Sequence, residues 1–146
     1  LCATLQDTVV FITADHGHID IQMDFFEENY PDFAKMLERP VSIEPRGISF
    51  YVKDEFISVF KERFLELFGS DYLIFSKEEV FQNKLFGPGV PHPNLTGIGD
   101  FIAPAIGTRT MFWNKTSPYF RSHHAGLTSQ EMKIPLIVVE KPGGKL

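Results

Sequence analysis

Thr8 to Asp20 reads TVVFITADHGHID, an apolar, β-branched run that stops abruptly at Asp15, His16, Gly17 and His18. A hydrophobic run of that length suits a strand buried on both faces, as in the parallel sheet of an α/β protein. The ends of such strands are where these sheets present functional groups. The polar cluster therefore sits at a rim. A carboxylate followed at once by an imidazole offers one hard oxygen and one borderline nitrogen, a pair suited to a divalent metal such as zinc or manganese. Gly17 lets the chain turn sharply, so that neighbouring side chains converge. The alternative is an ordinary turn, with Asp15 capping a backbone amide and His16 exposed. His18 and Asp20 alternate with Gly17 and Ile19, which marks a solvated edge or an outer layer around a site rather than two further ligands.

With 146 residues, 43% hydrophobic and 23% charged, the chain is globular and long enough for one domain with a real core. A net charge of -5 with no basic stripe argues against a nucleic-acid duplex as partner and leaves room for a pocket holding one phosphate. Cys2 is the only cysteine, so no intrachain disulfide forms, and a reducing, cytoplasmic location fits. No apolar run approaches membrane-spanning length, and LCATLQD lacks the charged and hydrophobic regions of a signal peptide. A start at Leu that enters a core-like strand almost at once suggests a piece of a longer polypeptide. Asn94-Leu95-Thr96 and Asn114-Lys115-Thr116 match the N-glycosylation pattern, which matters only on a secreted chain.

Past the opening strand, a short helix is expected after Pro31, with Phe33, Met36 and Leu37 on its inner face. Pro40 and Pro45 then enforce an extended crossing, a plausible subdomain boundary. Ile48 to Lys53 reads as a strand, with Asp54 placed to cap the following helix. In that helix Phe56, Phe60, Phe64 and Phe68 fall on one stripe, the pattern of core packing against a small sheet. Gly69 ends it. Tyr72 to Phe75 reads as a second short strand, and Ser76 with Glu79 forms a capping box opening Lys77 to Phe86, which Gly87 closes. Gly87 to Gly99 is loop, in which His92 between two prolines is a surface or packing residue. Phe101 to Ile106 and Arg109 to Trp113 read as a hairpin about Gly107-Thr108, with Arg109 exposed. Thr128 and Glu131 form a second capping box, Pro135 ends that turn, and Leu136 to Val139 reads as a buried strand sharing a sheet with the first.

His123 and His124 lie in the loop before this last strand. Adjacent histidines point in different directions, so one of the two serves a given metal; viewed alone, the pair could equally be a surface feature. Both polar corners, Asp15-His16 and His123-His124, lie at ends of apolar strands that one rim can bring together.

TADHGH after a hydrophobic strand, followed by SHHAGLTSQEM before PLIVV, resembles the C-terminal part of the alkaline phosphatase superfamily, in particular its type I phosphodiesterase and nucleotide pyrophosphatase branch. EPRGISFYVK, LFGPGVPHP and IGD extend the resemblance across nearly the whole chain. It implies part of an alkaline-phosphatase-like α/β fold, a sheet sandwiched by helices. Residues 1–40 and 121–146 belong to that core, and 41–120 form an inserted small α/β subdomain. It implies two divalent metal ions, zinc first and manganese as the alternative. Asp15 and His16 are expected on the ion that also holds the nucleophile and His124 on its partner, with His123 as the alternative. Relatives read His-Gly-Gly-Leu where this chain reads His124-Ala125-Gly126-Leu127.

The family's threonine or serine nucleophile precedes the Asp-His-Gly motif. Leu1 to Asp7 does not match its surroundings, and Thr13 is too close to the motif and too strand-like to replace it. The chain is therefore expected to carry half a site, to be inactive alone, and to have the rest of a parent polypeptide as its partner. The implied substrate is a small phosphate ester, a nucleotide among the candidates, cleaved at a phosphodiester or pyrophosphate bond. The competing readings are a phosphomonoesterase, phosphonate hydrolase, sulfatase or phosphomutase on the same scaffold, or a non-catalytic α/β binding module.

Overall fold

The computed structural model describes residues 7–90, 92 and 97–141. The chain runs from β1 (Thr8–Thr13) through β2 (Ile19–Asp20) and β3 (Gln22–Phe25) into two single-turn helices, α1 (Phe26–Asn29) and α2 (Pro31–Ala34). Pro31 opens α2, where its missing N–H is no loss and its fixed φ suits the helix. Phe33, Met36 and Leu37 are all buried, although regular helix stops at Ala34 and Leu37 bridges Val52.

After the proline-bounded crossing, β4 (Ser42–Glu44) and β5 (Gly47–Phe50) pair antiparallel. With β6 (Phe75–Ser76) and β7 (Phe101–Pro104) they build a four-stranded antiparallel sheet of order β4-β5-β7-β6. Across it lies α3 (Ile57–Phe68), whose Phe60, Phe64 and Phe68 are fully buried. Phe33 meets Phe60 at 5.0 Å and Phe68 at 5.3 Å between ring centroids, and Phe50 meets Phe64 at 5.4 Å. Tilted and edge-on pairs of this kind add about 0.5–1.5 kcal/mol each beyond area burial. The aromatic stripe is core, and it joins Phe26 and Phe33 to the small sheet in one cluster. The capping box at α4 (Lys77–Gln82) is formed: the Glu79 N–H donates to Ser76 Oγ at 3.2 Å, and the Ser76 N–H to Glu79 Oε2 at 2.7 Å.

Four local expectations are corrected. Asp54 does not cap α3, because a 3₁₀ turn over Asp54–Phe56 precedes the helix and neither start carries a side-chain cap bond. Helix α4 stops at Gln82, with Gly87 closing a later turn at φ +100° through its N–H to Lys84 O. The hairpin about Gly107-Thr108 does not form. The Asp71 carbonyl accepts the N–H groups of Ile106 and Gly107 at 2.7 and 3.0 Å, which turns the chain aside, and β8 (Arg109–Phe112) instead runs parallel to β3. Arg109 is consequently not exposed. Its guanidinium lies 2.7 Å from the Asp24 carboxylate on neighbouring β3 and over the rings of Tyr30 and Phe68.

The opening and closing apolar strands do share a sheet: β1 pairs with β10 (Leu136–Lys141), Thr13 opposite Leu136. The pairing is antiparallel, not parallel, and the ribbon is not buried on both faces, with Phe11 65% and Leu136 67% exposed. Too little of the described chain packs on its faces to cover them. No helix among the described residues is long and apolar enough to cross a membrane.

Candidate metal centre

Two short contacts bring the distant histidines together. β2 pairs antiparallel with β9 (Ser122–His123), Ile19 opposite His123, so the strand leaving His18 runs beside the strand entering His124. The Gly17 N–H donates to Glu131 O at 2.8 Å in α5 (Ser129–Met132). This contact needs glycine, because a Cβ at position 17 would stand 1.8 Å from Gln130 O. The expected Thr128–Glu131 capping box opens α5.

Glu131 does more than cap. Its buried carboxylate accepts from Arg46 Nε at 2.6 Å, Arg46 Nη2 at 2.8 Å, the Gly126 N–H at 2.8 Å and Thr128 Oγ1 at 2.6 Å. Burial pushes its pKa up, but the bonds from Arg46, Thr128 and Gly126 outweigh that and hold it down at about 2. Arg46 also donates to Thr110 Oγ1 and to the carbonyls of Gly107 and Arg109. The Glu44-Pro45-Arg46 corner is thereby locked against the late loop.

His16 and His124 stack with centroids 3.8 Å apart and planes 12° from parallel, and His18 lies 5.3 and 5.1 Å from them. One ligand atom from each of His16, His18 and His124 falls within 4.8 Å of the others. Glu44, His123 and His124 form a second such group. An ion held by about 2.1 Å bonds separates tetrahedral donors by about 3.4 Å, so modest side-chain rotations would close either group. Three imidazoles, or two with a carboxylate, fit a borderline divalent cation. Burial lowers the His124 pKa, as do the neighbouring His16 and His123 rings, while Glu44 works the other way; the net effect favours the neutral, lone-pair-bearing ring.

The remaining sequence candidates divide. Asp15 stands beside His16, its Oδ2 3.4 Å from Nε2, but its side chain is 86% exposed and belongs to neither group. The donated His16 N–H, its own amide and the His16 ring lower the Asp15 pKa. His18, read as an edge residue, enters the first group, and His123 the second. Asp20 and His92 are exposed and belong to neither. Thr13 Oγ1 donates to Pro135 O, which ties the two strand ends. Asn114 bonds Glu27 and Thr116. Cys2 and the Asn94 motif lie outside the described residues. Glu44 was missed, since a lone carboxylate before a proline carries no signal until its corner meets the late loop.

Sheets flanked by helices, with a small extra α/β unit, define a mixed α/β architecture. The fold resembles human ectonucleotide pyrophosphatase/phosphodiesterase 5 with TM-score 0.61 and 13% identity, over 89% of this chain and 33% of that one. An inactive form of the murine counterpart in complex with AMP gives 0.56 and 14%, over 88% and 33%. Phosphonoacetate hydrolase from Sinorhizobium meliloti 1021, in complex with phosphonoformate, gives 0.60 and 16%, over 93% and 38%. The chain thus spans a third or slightly more of the solved chains it resembles. No protein-family model matches it, and no curated protein matches it in sequence.

Proposed function

We propose that this chain is the C-terminal part of a metal-dependent hydrolase that cleaves phosphodiester or pyrophosphate bonds at a two-metal site, with the nucleophile outside this chain. The observation that carries the reading is the 3.8 Å meeting of His16 and His124 from opposite ends of a chain with this fold. Residues 1–40 and 121–146 would supply the metal-binding corners, and 41–120 the inserted unit beside them.

Asp15 and His16 would hold one cation and His124 the other, with His123 as the alternative and His18 close to both corners. When bound, a pair of divalent ions, zinc first, would supply Lewis-acid neutralisation of phosphoryl oxygens and activation of a hydroxyl nucleophile. The chain's own part is preorganisation. Burial and the neighbouring rings bias His124 toward its neutral form, the His16 amide favours the Asp15 carboxylate, and Glu131 fixes the late loop through Gly126. Gly17, by accepting no side chain, lets His16 approach that loop.

A phosphonate hydrolase is the second reading, favoured by the fold likeness to phosphonoacetate hydrolase at TM-score 0.60. Assay of the natural polypeptide that contains this chain, against a nucleotide diester, a pyrophosphate, a phosphomonoester and phosphonoacetate, tests both. Preferred cleavage of the diester or pyrophosphate, abolished by His16→Gln, is expected. Phosphonoacetate preference would transfer the conclusion to the second reading, and loss of neither activity nor metal in that variant would exclude both.

A further inference from the structure

Glu44 has no part in the reaction just described, yet its carboxylate faces two imidazoles. We propose that Glu44, His123 and His124 form a further divalent-metal site, a two-imidazole, one-carboxylate set for a zinc-like cation, which draws on His124 in competition with His16 and His18.

The three donors lie within 4.8 Å of one another, and all three residues are half-buried. Among the described residues the Glu44 carboxylate has no ion-pair partner, since the adjacent Arg46 is taken by Glu131. Backbone geometry aims the group. Ile43, before Glu44, has φ +73°, and Ala125, after His124, has φ +82°. Both are conformations that residues with a Cβ seldom adopt, at a cost on the order of 1–2 kcal/mol each. The buried Arg46–Glu131 pair holds both corners in place, Arg46 two residues from Glu44 and Glu131 bonded to Gly126, two residues from His124. Mixed nitrogen and oxygen donors select zinc, cobalt or manganese over magnesium, which prefers oxygen alone.

Sharing has a consequence. A neutral imidazole carries one lone pair and one N–H, so at neutral pH His124 serves one ion at a time. An ion beside Glu44 withdraws His124 from His16 and His18, so the two groups are not filled together.

The test uses the 146-residue chain, zinc chloride and calorimetric titration at pH 7, with histidine ring nitrogens followed by NMR. The His16→Gln/His18→Gln chain is expected to keep binding one zinc, with the rings of His123 and His124 shifting together. Adding Glu44→Gln, or separately His123→Gln, is expected to weaken that binding at least tenfold, and backbone NMR spectra verify that each variant remains folded. A double variant that binds no zinc would overturn the proposal, as would binding indifferent to both Glu44→Gln and His123→Gln. Because the readout is zinc binding by this chain, an absence of diester cleavage in the natural polypeptide leaves the outcome intact.

Discussion

Arg46 and Glu131, 85 positions apart, form a fully buried two-pronged ion pair, Nε to Oε1 at 2.6 Å and Nη2 to Oε2 at 2.8 Å. The pair clamps the Glu44-Pro45-Arg46 corner to the loop that carries His124. Removing one member leaves the other charge buried and uncompensated, a loss of about 3–5 kcal/mol. Glu131→Gln should therefore lower unfolding stability by that order in a denaturant titration. An apolar pair, Arg46→Met with Glu131→Leu, should cost less than the single change.

Acid should undo the same clamp. Glu131 titrates near 4.5 when unfolded and at about 2 when folded, so the unfolded chain binds the proton more readily. The pair's contribution is complete above about pH 4.5 and disappears as pH falls toward 2, roughly 3 kcal/mol in all. Wild-type stability measured over that interval should fall more steeply with acid than that of the Arg46→Met/Glu131→Leu chain.

Ala125 occupies a backbone region that suits glycine, with φ +82°. Ala125→Gly relieves that strain and returns part of the gain as unfolded-chain entropy. A net stabilisation of about 0.5–1 kcal/mol is expected in thermal unfolding. Destabilisation would mean that the late loop relaxes around alanine.

Gly17→Ala should act on the site more than on the core. The added Cβ would meet Gln130 O at 1.8 Å, so the Gly17 N–H to Glu131 O bond must break and His16 must withdraw from His124. Zinc affinity should fall at least tenfold while the aromatic cluster around Phe64, distant in the chain and chemically separate, keeps its NMR signature.

What the sequence made legible was local or periodic. The four-residue spacing of Phe60, Phe64 and Phe68 announced a buried helix face, and the boxes at Ser76–Glu79 and Thr128–Glu131 were readable because both partners lie within one turn. The apolar character of the run from Thr8 and of Leu136 to Val139 correctly placed them in one sheet, but not their antiparallel direction or exposure, which depend on what packs against them. Gly107-Thr108 resembled a hairpin turn until the Asp71 carbonyl competed for its amides. His16 and the His123–His124 pair could be singled out because motif and strand end coincided, while the choice of His124 within the pair rested on the family resemblance. His18 and Glu44 could not, since their place in the ligand groups comes from the β2–β9 pairing and the Arg46 clamp, both long-range.

The opening and late histidine corners are proposed to form one metal centre. Following all histidine ring nitrogens of the wild-type chain by NMR, from no zinc to one equivalent, tests it most directly. His16 and His124 are expected to shift in the same step. Movement of His124 with His16 unaffected, or of neither, would contradict it.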